Sequence, residues 1–202
     1  MNKYRVSKKD RIVIASHNQG KIKEFKTLFS KYNFKILSSN ELNIDEVDEN
    51  GSSFEDNAII KVKSIPDNFI AIGDDSGLCV KSLKNKPGIF SARFSKKCGG
   101  WNEAMKEIFN QVSKLKKPDY SAKFFCALAI KFKNKKIFTY TGEVFGNLVW
   151  PPKGNNGFGY DPFFKPISYK KTFSQMKHSE KILIDHRFVA FQKLATKHLN
   201  SI

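Results

Sequence analysis

The chain has 202 residues, 40% of them hydrophobic, and 36 basic against 19 acidic side chains give it a net charge of +17. That much apolar content builds a sizeable core, and the positive excess favours anionic partners: nucleotides, nucleic acids or acidic membrane surfaces. The longest apolar run, FFCALAI at 124–130, is too short to span a bilayer, and the N-terminal MNKYRVSKKDRIVIAS lacks the apolar length of a signal peptide.

Three widely spaced cysteines, Cys79, Cys98 and Cys126, show no CxxC or Cys/His ligand pattern, which argues against disulfides and zinc and for a reducing, cytoplasmic setting. Enrichment in Lys together with Asn, Ile and Phe also fits compositional drift, with many lysines forming a solvated face. Charge alone therefore does not separate a nucleotide enzyme from a nucleic-acid binder. No Pro, Gly or Ser-rich linker divides the chain, so one domain over 1–202 is expected, with residues 1–10 as an N-terminal extension.

Apolar periodicity predicts a strand at Arg11 to Ala15 and then a helix from about Lys21 to Phe29 with Ile22, Phe25, Leu28 and Phe29 inward. A second strand follows around Phe34 to Leu37. The next helix starts near Ser53, a good N-cap, carries Phe54, Ala58, Ile59 and Val62 on one side, and stops before Pro66. Two extended runs, FIAIG and LCVKSL, flank DDSG, which reads as a kink between strands. Trp101, Met105, Ile108, Phe109 and Val112 mark a further helix. Two long strands joined near Asn134 fill Ser121 to Phe145, the loop WPPKGNNGFGYDP follows, and a last amphipathic helix begins near Asp185. Early βαβ units and a later hairpin predict an α/β fold with a mixed sheet.

The segment ASHNQGK, between the first strand and helix, nearly matches the phosphate-binding pattern GxxxxGK[ST]. Such a loop offers free backbone N–H groups and the positive end of a helix dipole to an anion. Lys21 adds a charge, and Ser16 and Asn18 add donors. Ile22 stands where a metal-binding hydroxyl would be, so any metal must be held by carboxylates elsewhere or by the phosphates themselves. Candidates are Glu49 and the pair Asp74 and Asp75; adjacent residues of a strand face opposite ways, so one of the pair reaches a given site. Gly73 and Gly77, either side of DDS, would let backbone approach a ligand closely.

In chain order, SHNQGK (16–21), ENGSSFEDNAIIK (49–61), DDSGLCV (74–80), PGIFSARF (87–94), GFGYDPFF (157–164) and K-x4-HR (181–187) resemble the motifs of the inosine triphosphate pyrophosphatases, or Ham1/RdgB-like XTP/dITP diphosphatases. Only the first ten residues and Trp101 to Lys117 lack such a motif. The resemblance implies a long, bent mixed sheet with helical lobes flanking a central nucleotide-binding cleft, assembled as a homodimer. It implies Mg²⁺-dependent hydrolysis of ITP, dITP and XTP to the monophosphate and pyrophosphate.

By the same resemblance, Ser16, His17, Asn18, Gln19, Gly20 and Lys21, with Lys61, would hold the triphosphate. Glu49 and Asp75 would bind the metal, Asp75 would activate water, and Ser76 would contact substrate beside it. Phe158, Gly159, Tyr160 and Asp161 would form the base end, completed by Lys181, His186 and Arg187. Asp185 departs from the family's usual Ser before His-Arg; it caps a helix equally well, but its charge beside His186 would weaken affinity for an anion. Two rival readings are a Maf-like pyrophosphatase of other nucleotides, which lacks the combination of GFGYDP with K-x4-HR, and a nucleic-acid-binding module built on the lysine excess and KFFCALAIKFKNKKIF. If the resemblance holds, no specific nucleic acid and no membrane partner is expected.

Overall fold

A computed structural model describes residues 4–199, so the first three residues of the expected N-terminal extension lie outside the described part. Among the described residues seven strands hydrogen-bond in the order β2-β1-β3-β5-β6-β7, with β4 alongside β3. They are β1 (Arg11–Ala15), β2 (Lys35–Ser38), β3 (Ile70–Val80), β4 (Lys86–Pro87), β5 (Ser121–Lys131), β6 (Ile137–Leu148) and β7 (Phe164–Pro166). β1 runs parallel to β2 and β3, while β3–β4 and β6–β7 are antiparallel, so the sheet is mixed, as the sequence predicts. The helices are α1 (Gln19–Phe29), α2 (Phe54–Lys63), α3 (Ser91–Cys98), α4 (Trp101–Ser113), α5 (His178–Lys181) and α6 (His186–His198). None of the described helices is long and apolar enough to cross a membrane.

Two compact units form: one from the chain through Asp75, Cys126–Gly142 and the chain from Arg187, the other from Ser76–Phe125 and Glu143–His186. In the first unit, four of the five β1 residues are buried, as befits a parallel strand covered on both faces. Asn18 caps α1 by accepting from Lys21 N–H, which starts the helix two residues before the predicted Lys21. The predicted inward residues Ile22, Phe25, Leu28 and Phe29 are all buried, and Glu24 is buried with them. Ser53 caps α2 through Asp56 N–H, with Glu55 and Asp56 in the first turn and Lys61 and Lys63 in the last, as the helix dipole favours. Residues 4–6 are tied to the end of α6: Val6 N–H donates to His198 O at 2.8 Å, and His198 joins Tyr140 Oη and Tyr4 O at 2.6 Å each.

DDSG is not a kink. β3 runs unbroken for 11 residues through it, and all of them but Ser76 are buried. Turn propensity yields here because the two carboxylates find cationic and amide partners inside the fold. Nor do its glycines make room for a ligand. A side chain at Gly73 would come within 2.5 Å of Ala58 O on α2, and one at Gly77 within 2.3 Å of Gly88 O, so the close approach is to the protein's own backbone.

The second unit has its own core, in which Leu78 and Val80 of β3, Met105, Ile108 and Val112 of α4, Phe124 of β5, and Phe163, Phe164 and Phe173 are all buried. α3, inside PGIFSARF, was not foreseen from periodicity; Ser91 fixes its start by donating to Gly88 O at 2.7 Å and accepting from Leu78 N–H at 3.0 Å.

Candidate active site

In the first unit, the C-terminal end of β1 delivers the chain to the loop Ser16–Gly20. Ser16 Oγ accepts from Asn18 N–H at 3.2 Å, and Asn18 Oδ1 accepts from Lys21 N–H at 3.1 Å, so the loop's shape is set by its own short side chains. Asn18 is therefore occupied as a cap through its oxygen. Gln19 and Gly20 bring their first-turn N–H groups to the positive end of α1. His17 turns aside, its Nε2 2.9 Å from Ile44 O, and ties the loop to the segment leading to Glu49.

Asp74 and Asp75 separate as strand geometry requires. Asp74 is buried and meets Lys21, Arg187 Nε (3.0 Å) and Cys126 Sγ (3.0 Å). Burial would raise its pKa, but the charges of Arg187 and Lys21 overcome that and hold it well below the usual carboxylate range. Lys21 answers in kind: burial opposes its charge, Asp74 outweighs the burial, and its pKa is raised. Burial, reinforced by the charge of Asp74, pushes the Cys126 thiol well above its ordinary value.

Asp75 takes different partners. Asn57 Nδ2 donates to Asp75 Oδ2 at 2.9 Å, and Lys61 Nζ lies 3.8 Å from Asp75 Oδ1. The same ammonium reaches Glu49 Oε1 at 2.7 Å and Asp74 O at 2.8 Å. Burial, with the neighbouring Glu49 adding to it, raises Asp75 to about 6 against the pull of Lys61, Lys21 and Asn57. Glu49 and Asp75 thus converge on one cationic position, where the ammonium of Lys61 stands. Two hard oxygen donors meeting a cation suit Mg²⁺, which keeps several waters and takes few protein carboxylates. Among the described residues no group of three or more His, Cys, Asp or Glu side chains forms a metal cage, so substrate oxygens and water would complete the shell.

Arg187 does not reach out as a pocket donor. It is buried to 1% exposure, its Nη1 paired with Glu24 and its Nε and Nη2 with Asp74. Sequence reasoning also passed over Glu24 and Asn57. Spacing could have found both: Glu24 lies three residues after Lys21 within the apolar stripe of α1, and Asn57 lies four residues before Lys61 on α2.

In the second unit, GFGYDP folds around Asp161. Its Oδ2 accepts from Phe158 N–H at 2.9 Å and from Lys181 Nζ at 2.7 Å, and the Lys181 ammonium lies 4.9 Å from the Phe158 ring centroid. Gly157 has φ +78°, and a side chain there would fall 2.1 Å from Asp161 Oδ2, so only glycine fits. Tyr160 is buried to 2% exposure in the core, with its hydroxyl on Ser91 O at 3.3 Å and the Trp101 ring edge-on at 5.0 Å. It is a packing residue here, and Phe158, half-buried, is the ring of the motif with open surface. Gly159, at φ +65°, lies against Trp101, an exposed ring in the stretch without a motif. His186 is buried and stacks on Phe124 at 4.8 Å. Asp185 is also buried, and Ser76 sits partly exposed beside Asp75.

A βα loop at a helix N-terminus, two lysines and two convergent carboxylates together form a set of groups able to hold an anion and a cation side by side. The Ham1 family model matches residues 12–197, and the chain belongs to the Ham1 family. It is 38% identical over 187 residues to a dITP/XTP pyrophosphatase of Zymomonas mobilis, covering 91% of this chain and 90% of the relative. A dITP/XTP pyrophosphatase of Bacillus cereus is 37% identical over 191 residues, covering 92% and 93%. Among solved structures, a HAM1 protein from Coxiella burnetii superposes with a TM-score of 0.81 at 32% identity over 93% of this chain and 97% of the other. The Staphylococcus aureus Ham1 protein gives 0.80 at 34% identity over the same shares.

Proposed function

We propose that the protein hydrolyses deaminated purine nucleoside triphosphates, ITP, dITP and XTP, between the α and β phosphates, releasing the monophosphate and pyrophosphate. The observation that carries this is the convergence of Glu49 and Asp75 on the position held by Lys61 Nζ, 2.7 and 3.8 Å away, which makes a cation site next to a carboxylate able to take a proton. The dITP/XTP pyrophosphatase names of the relatives supply the substrate class.

Glu49 and Asp75 would hold Mg²⁺, which when bound offsets phosphate charge and makes a coordinated water more acidic. Asp75 Oδ1, on the side away from Asn57, takes the proton of the attacking water. Lys61 leaves the carboxylates for the phosphates, and the first-turn N–H groups of α1 with Lys21 hold the polyphosphate, lowering the barrier by placing positive charge around the transferring and leaving groups. Arg187, already committed to Asp74 and Glu24, would stiffen this arrangement by holding Asp74 and, through it, Lys21. In the second unit, Phe158 offers its ring to the purine, and Lys181 and His186 supply donors for the 6-keto oxygen. An adenine amino group would leave such donors unpaired, at about 1 to 3 kcal/mol each.

Homodimer formation belongs to the same proposal; Phe145, Trp150, Ile167 and Tyr169 of the second unit are exposed and offer apolar surface for it. Light scattering of the purified protein decides between one copy and two. Pyrophosphate release from ITP, dITP, XTP, GTP and ATP, with and without Mg²⁺, tests reaction, base choice and metal together. Equal turnover of ATP and ITP would overturn the base assignment.

A further inference from the structure

Asn57 is fully buried at the fourth residue of α2, and both ends of its carboxamide are used. Oδ1 accepts from Gly51 N–H at 2.9 Å, and Nδ2 donates to Asp75 Oδ2 at 2.9 Å. The orientation is forced. Turned over, the amide would set its NH₂ against an N–H donor and its oxygen against a carboxylate, two repulsions in a dry site. Gly51 is matched to it, because a side chain there would meet Asn57 Oδ1 at 2.7 Å and Asp56 Cβ at 2.5 Å. The next residue is stitched to the same helix turn: Asp56 Oδ2 accepts from Ser52 Oγ at 2.7 Å and from Ser52 N–H at 3.2 Å. Glu49 lies two residues before Gly51, on a stretch without regular secondary structure.

One carboxamide therefore connects the irregular segment that carries Glu49 with the strand that carries Asp75. We propose that Asn57 is a positioning residue: it holds Asp75 Oδ2, leaves Oδ1 as the oxygen that faces the cation and the water, and sets the distance at which Glu49 meets it. This rests on the roles proposed above for Glu49 and Asp75. Groups that hydrogen-bond to a metal's ligands commonly weigh 10- to 100-fold in metal affinity or turnover.

The test uses Mn²⁺ alone as probe, read by electron paramagnetic resonance without nucleotide, together with kcat and KM for ITP. In Asn57→Ala, Mn²⁺ affinity and kcat each fall roughly 10- to 100-fold while KM stays within about threefold. Asn57→Asp, which keeps the shape and the acceptor toward Gly51 but when ionised cannot donate to Asp75, shows the same split in kcat and KM at alkaline pH. In an Asp75→Asn background, adding Asn57→Ala leaves Mn²⁺ affinity where Asp75→Asn alone put it. In the otherwise unaltered protein, the Asn57 side-chain amide protons shift in the NMR spectrum on Asp75→Asn, a signature that needs no change at Asn57 itself.

Folded Asn57 variants that lose thermal stability but keep wild-type Mn²⁺ affinity and kcat would overturn the proposal, as would unshifted Asn57 amide protons. Wild-type protein that neither binds Mn²⁺ nor releases pyrophosphate would instead overturn the roles of Glu49 and Asp75.

Discussion

Lys61 and Glu49 form an ion pair, Nζ to Oε1 at 2.7 Å, and the same ammonium lies 3.8 Å from Asp75 Oδ1, so a side-chain cation stands where the two proposed metal ligands meet. In the proposed site a divalent ion and this ammonium would compete for one position. Lys61→Met should therefore tighten Mn²⁺ binding to the nucleotide-free protein by roughly fivefold, the weight of a partly exposed ion pair of about 1 kcal/mol. The same variant should lose most of its ITP turnover, because the charge owed to the phosphates is gone. Titration by electron paramagnetic resonance and a pyrophosphate assay read the two effects separately.

The raised pKa of Asp75 makes a prediction about stability. A carboxyl at about 6 in the folded protein and near 3.8 in the unfolded chain binds its proton more tightly when folded. Its favourable contribution is complete below 3.8 and is lost as pH rises through about 6. Asp75→Asn removes that penalty, so at pH 8 without metal the variant should be more stable than wild type by on the order of 2 to 3 kcal/mol. Near pH 4 the difference should shrink toward zero. Thermal melts at the two pH values check it, and the same substitution should abolish turnover.

Glu24 is predicted to matter for folding more than its place on a surface helix implies. It is buried at 2% exposure and pairs with Arg187, which is itself buried and also carries Asp74. Removing one partner from such a set leaves an under-compensated charge, so Glu24→Ala should cost about 3 kcal/mol. At roughly 2 to 4 °C per kcal/mol for a chain of this length, the melting temperature should fall by about 6 to 12 °C.

The periodic elements were legible in the sequence: β1, α1, α2, α4, the long β5–β6 pair and α6 follow from apolar spacing, with the cap Ser53 marking the start of α2. What was not legible came from partners distant in the chain. DDSG has turn chemistry, yet Lys21, Arg187, Asn57 and Lys61 satisfy its carboxylates and let the strand continue. Tyr160 and Arg187 carry motif positions that read as binding groups; packing under Trp101 and pairing with Glu24 are contacts that no local spacing reveals. Asn57 and Lys61, by contrast, share a face of α2, and their i, i+4 spacing held the information.

Gly157 tests the proposed base end by itself. With φ +78° and Asp161 Oδ2 2.1 Å from where a Cβ would stand, Gly157→Ala must displace the carboxylate that holds Lys181 and the Phe158 N–H. Backbone strain of about 1 to 2 kcal/mol adds to the displaced ion pair. The variant should raise KM for ITP by roughly tenfold with kcat changed little, since only ground-state and transition-state binding of the base are lost together. Steady-state kinetics on ITP measures it.

The most direct test of the central claim is product identity. Purified protein with Mg²⁺ and ITP should yield inosine monophosphate and pyrophosphate in equal amounts, with ATP turned over far more slowly and Asp75→Asn inactive. Release of inosine diphosphate and orthophosphate, or unimpaired turnover by Asp75→Asn, would contradict the account.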